Sequence, residues 1–273
     1  MKQYVQVTIS VTEQDIQEML IAQLGLIGYN AFEQENILLK AFIEEDVFDK
    51  SSLEELLQQY SLTYELTVLP ATNWNQEWEK NFQPVIIDDF CGIRASFHEP
   101  VKNVQHEIII TPKMSFGTGH HATTHMMVQL MRTIDFTDKY VFDFGTGTGV
   151  LAILADKLGA TEVLAIDNDE WSMLNAAENL AANKCEHVVL ANVSNIPASK
   201  SFDIILANIN KQVIAGTLKQ MRAQLSANGA ILLSGLLEHD LYDIHAIAVE
   251  NRLQLQQQLI RSGWIALKYT HCE

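Results

Sequence analysis

The stretch Val141-Phe-Asp-Phe-Gly-Thr-Gly-Thr-Gly-Val-Leu-Ala-Ile153 predicts the fold of the larger part of the chain. Its first residues are typical of a buried strand, and its last residues are typical of a helix. Between them, Gly145, Gly147 and Gly149 permit a tight turn with no side chain above the backbone. Because the start of a helix is the positive end of its dipole, we expect a polar ligand against the main-chain N–H groups of this turn.

Strands and helices alternate after residue 138, which indicates a parallel sheet with helical crossovers. The predicted strands are 140–144, 163–167, 187–190, 202–208 and 230–235, and the predicted helices are 149–158, 170–183, 210–225 and 239–250. The last two strands, 252–259 and 264–269, are too close in sequence for a crossover, so we expect an antiparallel hairpin. A doubly wound sheet with a terminal antiparallel hairpin is typical of class I methyltransferases rather than of dinucleotide-binding domains.

The spacing of the glycines separates two classes of nucleoside cofactor. The dinucleotide fingerprint is Gly-x-Gly-x-x-Gly, whereas this chain has Val150 at the sixth position. Asp167 ends the next predicted strand, where its carboxylate can accept both hydroxyls of a ribose. That acid would serve NAD equally well, but with the glycine spacing and the hairpin it favours S-adenosylmethionine. Asp143 either contacts the methionine ammonium of that cofactor or caps the turn.

The first 70 residues predict a small α+β unit with the element order βαββαβ, as in a ferredoxin-like sandwich. Thr12 and either Ser51 or Ser52 are the expected N-caps of its two helices. We therefore expect three parts, which are this α+β unit over residues 1–70, a linker helix over 71–84 and an α/β methyltransferase domain over 85–273.

The charge of the chain is concentrated in that first unit. The formal net charge is −16, and residues 1–70 contribute −9 of it, from 12 acidic and 3 basic residues. A field of this sign opposes binding to a phosphate backbone and favours a basic partner. The solubility of an acidic cytosolic protein explains the same net charge equally well. No run approaches the roughly 18 apolar residues of a membrane helix. We expect no direct contact with nucleic acid and no membrane association.

The cysteines indicate a reducing compartment. Cys91, Cys185 and Cys272 are isolated in the sequence and have no metal-binding or redox spacing. The first residues contain no long apolar signal region. The simplest interpretation is a cytoplasmic protein with reduced thiols.

Three further motifs carry a resemblance to a known family. They are Trp74-Asn-Gln-Glu-Trp-Glu-Lys-Asn-Phe-Gln-Pro-Val85, Phe116-Gly-Thr-Gly-His-His-Ala-Thr-Thr124 and Ala207-Asn-Ile209. With the glycine stretch and Asp167, they make the chain similar to the bacterial ribosomal protein L-eleven methyltransferases over nearly its whole length. The resemblance implies N-methylation of a large-subunit ribosomal protein, at its α-amino group and lysine side chains, from S-adenosylmethionine. It also implies that the N-terminal unit recognises that protein.

The same resemblance assigns residues to the site. It implies that cofactor contacts come from Phe116, Thr118, Thr124, Gly145, Gly147, Asp167 and Asn208, with the loop 116–121 folded over the cofactor. Asn208 is also the expected catalytic residue, since a carbonyl oxygen at that strand end orients the target amine. Capping of the next helix is the alternative for Asn208. Asn210 and Lys211 depart from the usual family sequence and bear on the shape of the substrate entrance.

Three histidines, His120, His121 and His125, lie in or next to this loop and are candidate metal ligands. His121 and His125 have the i, i+4 spacing that can hold zinc on a helix. No glutamate follows His121 as the zinc-protease motif requires, and no third ligand is placed. We therefore expect no metal site. Hydrogen bonding within the loop, or contact with the cofactor carboxylate, is the favoured role for His120 and its neighbours.

Two other functions are compatible with the same sequence. The first is a methyltransferase for another protein or a small amine, in which the N-terminal unit serves oligomerisation. The second is a non-catalytic protein that binds the cofactor and acts on the ribosome as an interaction module. Asn208 and the intact loop before Thr124 favour catalysis.

Overall fold

The computed structural model describes residues 3–35, 37–69, 82–113, 117–193 and 201–272. The chain divides into two compact units, Met1–Phe82 and Gln83–Glu273. The predicted linker helix over 71–84 falls almost entirely outside the described residues, so that helix stays a prediction.

The first unit has the predicted element order. Its elements are β1 (Tyr4–Ser10), α1 (Gln14–Leu26), β2 (Ala31–Glu35), β3 (Leu38–Glu44), α2 (Lys50–Gln59) and β4 (Tyr64–Leu69). The strands pair in the order β2-β3-β1-β4, and every pair is antiparallel. Because side chains alternate along a strand, one face of β1 and β3 is apolar and packs on both helices. The buried residues of this core include Val5, Val7, Leu39, Ala41, Leu20, Leu24, Leu53 and Leu57.

Both predicted helix N-caps in this unit are wrong. Helix α1 begins after Glu13, one residue later than the Thr12 cap would place it. Helix α2 is capped by Asp49, whose carboxylate accepts hydrogen bonds from Ser51 N–H at 2.9 Å and from Ser52 Oγ at 2.7 Å. The serines donate to the cap, because a carboxylate two or three residues earlier is the stronger acceptor.

The second unit contains the alternating strands and helices that the sequence predicts. Its elements are β5 (Val85–Ile87), β6 (Cys91–Ala95), β7 (His106–Ile110), α3 (Ala122–Met131), β8 (Tyr140–Phe144), α4 (Val150–Lys157), β9 (Glu162–Asp167), α5 (Glu170–Ala182), β10 (Val188–Asn192), β11 (Phe202–Asn208), α6 (Lys211–Ala223), β12 (Leu225–Leu237), α7 (Leu241–Glu250), β13 (Leu253–Arg261) and β14 (Trp264–His271). Strands β5, β6 and β7 form a small separate sheet.

The central sheet is mixed and doubly wound. Its seven strands lie in the order β10-β9-β8-β11-β12-β14-β13. The first five are mutually parallel, whereas β14 is antiparallel to both β12 and β13, which is the predicted terminal hairpin. The strand order reverses at β8, with β9 on one side and β11 on the other. Ligands of such sheets bind outside the carboxyl ends of the strands at this switch point.

Both faces of the central sheet are covered. Helices α6 and α7 pack on one face over a core that includes Phe142 and Phe144 of β8. The alternate residues of β8, Val141 and Asp143, point to the other face of the sheet and are also buried. Among the described residues, no helix is long and apolar enough to cross a membrane.

Candidate active site

The glycine turn after β8 has a backbone that requires glycine. Gly145, Gly147 and Gly149 have φ angles of 75°, 55° and 81°, in the left-handed region. A Cβ atom on Gly145 would also collide with the side chain of Ile209. The backbone conformation therefore favours glycine at all three positions, and at Gly145 the space beside Ile209 also requires it. The turn lies at the switch point of the sheet.

The amides of this turn are less available than the sequence predicts. The N–H groups of Gly145 and Thr146 both donate to Ile166 O at 2.9 Å. The N–H of Gly147 donates to Asp167 Oδ2 at 2.9 Å. Three of the expected ligand donors are thus bonded within the protein, and that expectation is wrong for them. The turn contributes open space next to the strand end rather than these N–H groups.

Asp167 ends β9 beside the turn. Besides Gly147, its carboxylate accepts the N–H of Asp169 through Oδ1 at 3.0 Å. These two bonds fix the plane of the carboxylate, and each oxygen keeps a lone pair for a further donor. This is the acceptor geometry that a ribose with two adjacent hydroxyls requires.

Asp143 is buried under the turn, with 1% of its surface exposed. It accepts a hydrogen bond from Thr146 Oγ1 at 2.6 Å, so it caps the turn, as one of its two predicted roles requires. Burial raises the pKa of Asp143 to about 7; the charge of Asp167 adds to this rise, and the Thr146 hydrogen bond opposes it. The carboxyl of Asp143 therefore changes its charge near neutral pH.

This titration predicts a stability difference that depends on pH. The folded pKa of Asp143 is above its unfolded value of about 3.9, so the wild type loses stability as pH rises from about 4 to about 7. We expect the Asp143→Asn variant, which keeps an acceptor for Thr146, to gain roughly 2–4 kcal/mol relative to the wild type over that interval. Urea unfolding without cofactor at several pH values measures it.

Asp135 provides a control of opposite sign. A backbone hydrogen bond from Thr137 is the main cause that lowers the pKa of Asp135. An Asp135→Asn variant should therefore lose stability relative to the wild type as pH rises through the acidic range. An Asp143→Asn variant whose relative stability also falls with pH would contradict the raised pKa.

Asn208 lies at the carboxyl end of β11, next to the turn. Its Nδ2 donates to Thr124 Oγ1 at 3.4 Å. Its Oδ1 is buried and has no hydrogen-bond partner among the described residues. Because an unpaired buried acceptor costs free energy, this oxygen is suited to a donor that arrives with a ligand. Asn208 does not cap the next helix, since Asn210 does so.

A cavity of about 620 Å³ opens at this edge of the sheet. Its lining includes four of the predicted site residues, Gly145, Gly147, Asp167 and Asn208. A smaller cavity of about 20 Å³ shares Gly145 and Asn208 with it and adds Thr124. Five predicted residues are thus brought together. The side chain of Thr118 lines neither of these cavities, and Phe116 lies outside the described residues, so the cofactor roles of both stay predictions.

The histidines have separate surroundings. His121 caps α3, with its Nδ1 2.7 Å from Thr123 Oγ1, and its ring lies edge-on to Trp264 in the wall of the large cavity. His120 Nε2 is 2.9 Å from Gln83 O. His125 Nε2 is 2.9 Å from an Arg261 nitrogen. Within the described ranges, no three His, Cys, Asp or Glu side chains are grouped so as to hold a metal.

Asn210 and Lys211 have local structural roles. Asn210 caps α6, since its Oδ1 accepts the N–H of Val213 at 3.0 Å, and it also lines the large cavity. Lys211 forms ion pairs with Asp240 at 2.9 Å and with Asp243 at 2.7 Å. Asn210, the N-cap of α6, thus contributes to the wall of the large cavity, whereas Lys211 is not among the residues that line it.

Sequence reasoning missed several residues of the cavity wall, among them Ser172, Gly235 and Trp264. Gly235 had a signal, because a glycine inside a strand often marks a close approach of another backbone. Its φ is 84°, and a Cβ there would overlap the carbonyl oxygen of Ile209. Trp264 had no such signal in the sequence, since it follows Asn208 by more than 50 residues. It lies at the site because its strand, β14, pairs with β12 in the central sheet.

Comparison with known proteins identifies the family. The family model described as ribosomal protein L11 methyltransferase (PrmA) matches residues 3–271. A protein of that name from Porphyromonas gingivalis is 38% identical over 261 residues, which are 93% of this chain and 90% of that protein. One from Bacteroides thetaiotaomicron is 33% identical over 264 residues, 94% of each chain.

One solved structure agrees with this assignment, and a second shares the fold alone. The crystal structure of ribosomal protein L11 methylase from Lactobacillus delbrueckii subsp. bulgaricus has a TM-score of 0.66 and 29% identity, over 70% of this chain and all of that chain (100%). A methyltransferase from Pyrococcus furiosus has a TM-score of 0.51 and 17% identity, over 61% and 90% of the chains, and shares the α/β methyltransferase fold. The chain belongs to the ribosomal protein L11 methyltransferase (PrmA) family.

Proposed function

We propose that the chain transfers methyl groups from S-adenosylmethionine to the α-amine and lysine side chains of ribosomal protein L11, in the cytoplasm. The observation that carries the proposal is the unpaired, buried Oδ1 of Asn208, which lies at a cavity walled by Gly145 and Asp167. A neutral amine is a hydrogen-bond donor that this oxygen can accept. Family membership supports the same chemistry.

The residues around the cavity fit S-adenosylmethionine. The volume of about 620 Å³ is within the range for cofactor pockets. Asp167 would hold the ribose hydroxyls, whereas Asp143 is buried beneath the turn, accepts a hydrogen bond from Thr146 and lines neither cavity. The cofactor supplies an activated methyl group when it is bound. Gly145 and Gly147 leave the space next to the strand end open for it.

Asn208 acts on the other reactant. Methyl transfer needs the lone pair of a neutral amine, whereas a lysine in water has a pKa of about 10.4 and an α-amine about 7.7–8.0. Acceptance of an N–H by Asn208 Oδ1 leaves the lone pair of the amine directed away from the oxygen. Partial removal of water from the amine favours its neutral form. Alignment of the reactants alone can lower the barrier by several kcal/mol.

We further propose that the first unit is a ferredoxin-like recognition domain, covering residues 1–70 and joined to the catalytic domain (85–273) by a linker helix (71–84). The antiparallel order β2-β3-β1-β4 with two helices on one face supports the ferredoxin-like assignment. The net charge of −9 over its first 70 residues is suited to a basic ribosomal protein and unsuited to nucleic acid.

The test is transfer of tritiated methyl from S-adenosylmethionine to purified ribosomal protein L11. We expect label on that protein, and with the Asn208→Ala variant we expect the rate of labelling to fall by about 100-fold or more. A second incubation uses a cell extract that is deficient in methylation. If label appears there only on other proteins or on small amines, the substrate is not L11. Cofactor binding with no label in any fraction would support the non-catalytic interaction module and contradict the proposal.

A shortened chain separates recognition from cofactor binding. The variant without residues 1–82 keeps the whole second unit. We expect its affinity for S-adenosylmethionine, measured by calorimetry, to stay within about threefold of that of the full chain. The reason is that all predicted cofactor-binding residues that the structure describes belong to the second unit. Methylation of L11 should fall by about 100-fold or more, since the binding energy of the first unit is lost. Normal methylation by the shortened chain would contradict the recognition role.

A further inference from the structure

Helix α5 and its C-cap residue carry a row of three asparagines, Asn175, Asn179 and Asn183, spaced four residues apart and therefore on one helical face. The row bonds to the backbone at and after the end of β7. Asn183 exchanges two hydrogen bonds with Ile109, at 2.9 and 2.6 Å. Asn175 Nδ2 donates to Thr111 O at 3.0 Å. These contacts attach the segment after β7 to the helix.

Asn179 makes a different kind of contact from its two neighbours. Its Oδ1 accepts the N–H of Thr111 at 2.7 Å, while its Nδ2 donates to Thr148 O at 2.8 Å. Thr148 belongs to the glycine turn, and both Asn179 and Thr148 are fully buried. One amide side chain therefore joins the glycine turn to the segment that leads into the loop before α3.

Thr148 holds the far side of the same loop. Its hydroxyl donates to Gly117 O at 2.8 Å. Gly117 has a φ of 107°, and a Cβ there would be 2.7 Å from Thr148 Oγ1, so the close approach requires glycine. Thr111 and Gly117 are thus both fastened to Thr148, one through Asn179 and one directly. We call these three hydrogen bonds, Thr111–Asn179, Asn179–Thr148 and Thr148–Gly117, the loop clamp.

The loop clamp lies beside the predicted site. Gly117 and Thr148 line the small cavity together with Thr124 and Asn208. A change in the distance between Gly117 and the glycine turn therefore changes the wall next to Asn208. The bonds at Asn183 hold the same strand but have no contact with the turn in the described part of the chain.

We infer that Asn179 is a positioning residue that sets the spacing between the glycine turn and the loop before α3, and through it the affinity for S-adenosylmethionine. The inference depends on the proposed function for the identity of the ligand. Asn179 acts through Thr148, since its two polar atoms are both bonded to backbone. Loss of its amide would leave Thr111 N–H and Thr148 O without partners inside a buried site, and both segments would shift to regain them.

The experiment compares substitutions that break different bonds of the same asparagine row. Asn179→Leu removes the bridge, and Thr148→Val removes only the bond to Gly117. As the matched control, Asn183→Leu removes the bonds to Ile109 and the bond to the carbonyl oxygen of Asn179, and it leaves the side chain of Asn179 in place. Calorimetry gives the dissociation constant for S-adenosylmethionine, and thermal unfolding gives the stability of each variant. We expect both Asn179→Leu and Thr148→Val to weaken binding by about 10-fold or more. Asn183→Leu should lower the melting temperature and leave binding within about twofold.

The double variant tests whether the hydrogen bonds of the loop clamp are energetically coupled. If Asn179 and Thr148 position the same loop, the Asn179→Leu/Thr148→Val protein should bind little more weakly than the worse single variant, because the effects of coupled sites are not additive. Equal weakening by Asn183→Leu and Asn179→Leu would reduce the role to general stability and overturn the inference. Thr148→Val with unchanged affinity would also overturn it, even if Asn179→Leu fails to fold. A wild-type chain that does not bind the cofactor would instead contradict the proposed function.

Discussion

The Asp167→Ala variant is expected to lose S-adenosylmethionine affinity by about 100-fold or more. The reason is that a hydrogen bond to a charged acceptor contributes roughly 1.5–3 kcal/mol, and a ribose would make two of them with this carboxylate. The substitution also frees the N–H groups of Gly147 and Asp169, which the carboxylate now holds. Isothermal titration calorimetry measures the affinity directly.

Asp169 provides the matched control at the same strand end. Its carboxylate caps α5 by accepting the N–H of Ser172 at 2.8 Å. The Asp169→Ala variant should lose some stability, because the helix loses its N-cap, and should keep its cofactor affinity. If Asp167→Ala binds within about threefold of the wild type, or no worse than Asp169→Ala, the assignment of the ribose site is wrong.

The second large effect concerns the rate of methyl transfer. Asn208→Ala should lower kcat by about 100-fold or more, in line with the loss of one preorganised polar contact to a reacting group. The affinity for S-adenosylmethionine should fall much less, because Asp167 and the glycine turn are unchanged. Single-turnover transfer of tritiated methyl at saturating cofactor separates the rate from binding.

The Asn208→Asp variant tests whether a hydrogen-bond acceptor at position 208 is sufficient, or whether the acceptor must also be uncharged. A carboxylate also accepts an N–H, but its charge stabilises the ammonium form of the incoming amine. We expect this variant to stay slow near neutral pH and to recover part of its rate as pH rises, whereas Asn208→Ala should not recover in that way. Full activity of either variant at neutral pH would remove Asn208 from the mechanism.

The sequence predicted those parts of the site that lie at strand ends. The carboxyl ends of parallel strands meet at one edge of a sheet, so the neighbouring strands β8, β9 and β11 necessarily bring Gly145, Asp167 and Asn208 together. The periodicity that predicts a strand thereby also places its last residue. The central sheet and its terminal hairpin were predictable for the same reason.

The parts that the sequence did not predict depend on contacts across the fold. Trp264 enters the cavity wall because β14 lies beside β12, and strand order is not a local property. The amide of Gly147 faces the protein because the neighbouring Asp167 competes for it. The loop clamp joins three segments that no local pattern connects. Asp49 caps α2, where a serine was predicted, because its carboxylate is a stronger acceptor than the hydroxyl groups of Ser51 and Ser52.

The inner position of β14 has a consequence for the synthesis of the protein. Chains fold as they leave the ribosome from their amino end, and the first unit has all of its strands within residues 4–69. The central sheet, in contrast, places the last described strand of the sequence between β12 and β13. A nascent chain can therefore complete its acidic first unit before the second unit is synthesised, while the wall that contains Trp264 forms only after all the other strands of the central sheet have been made.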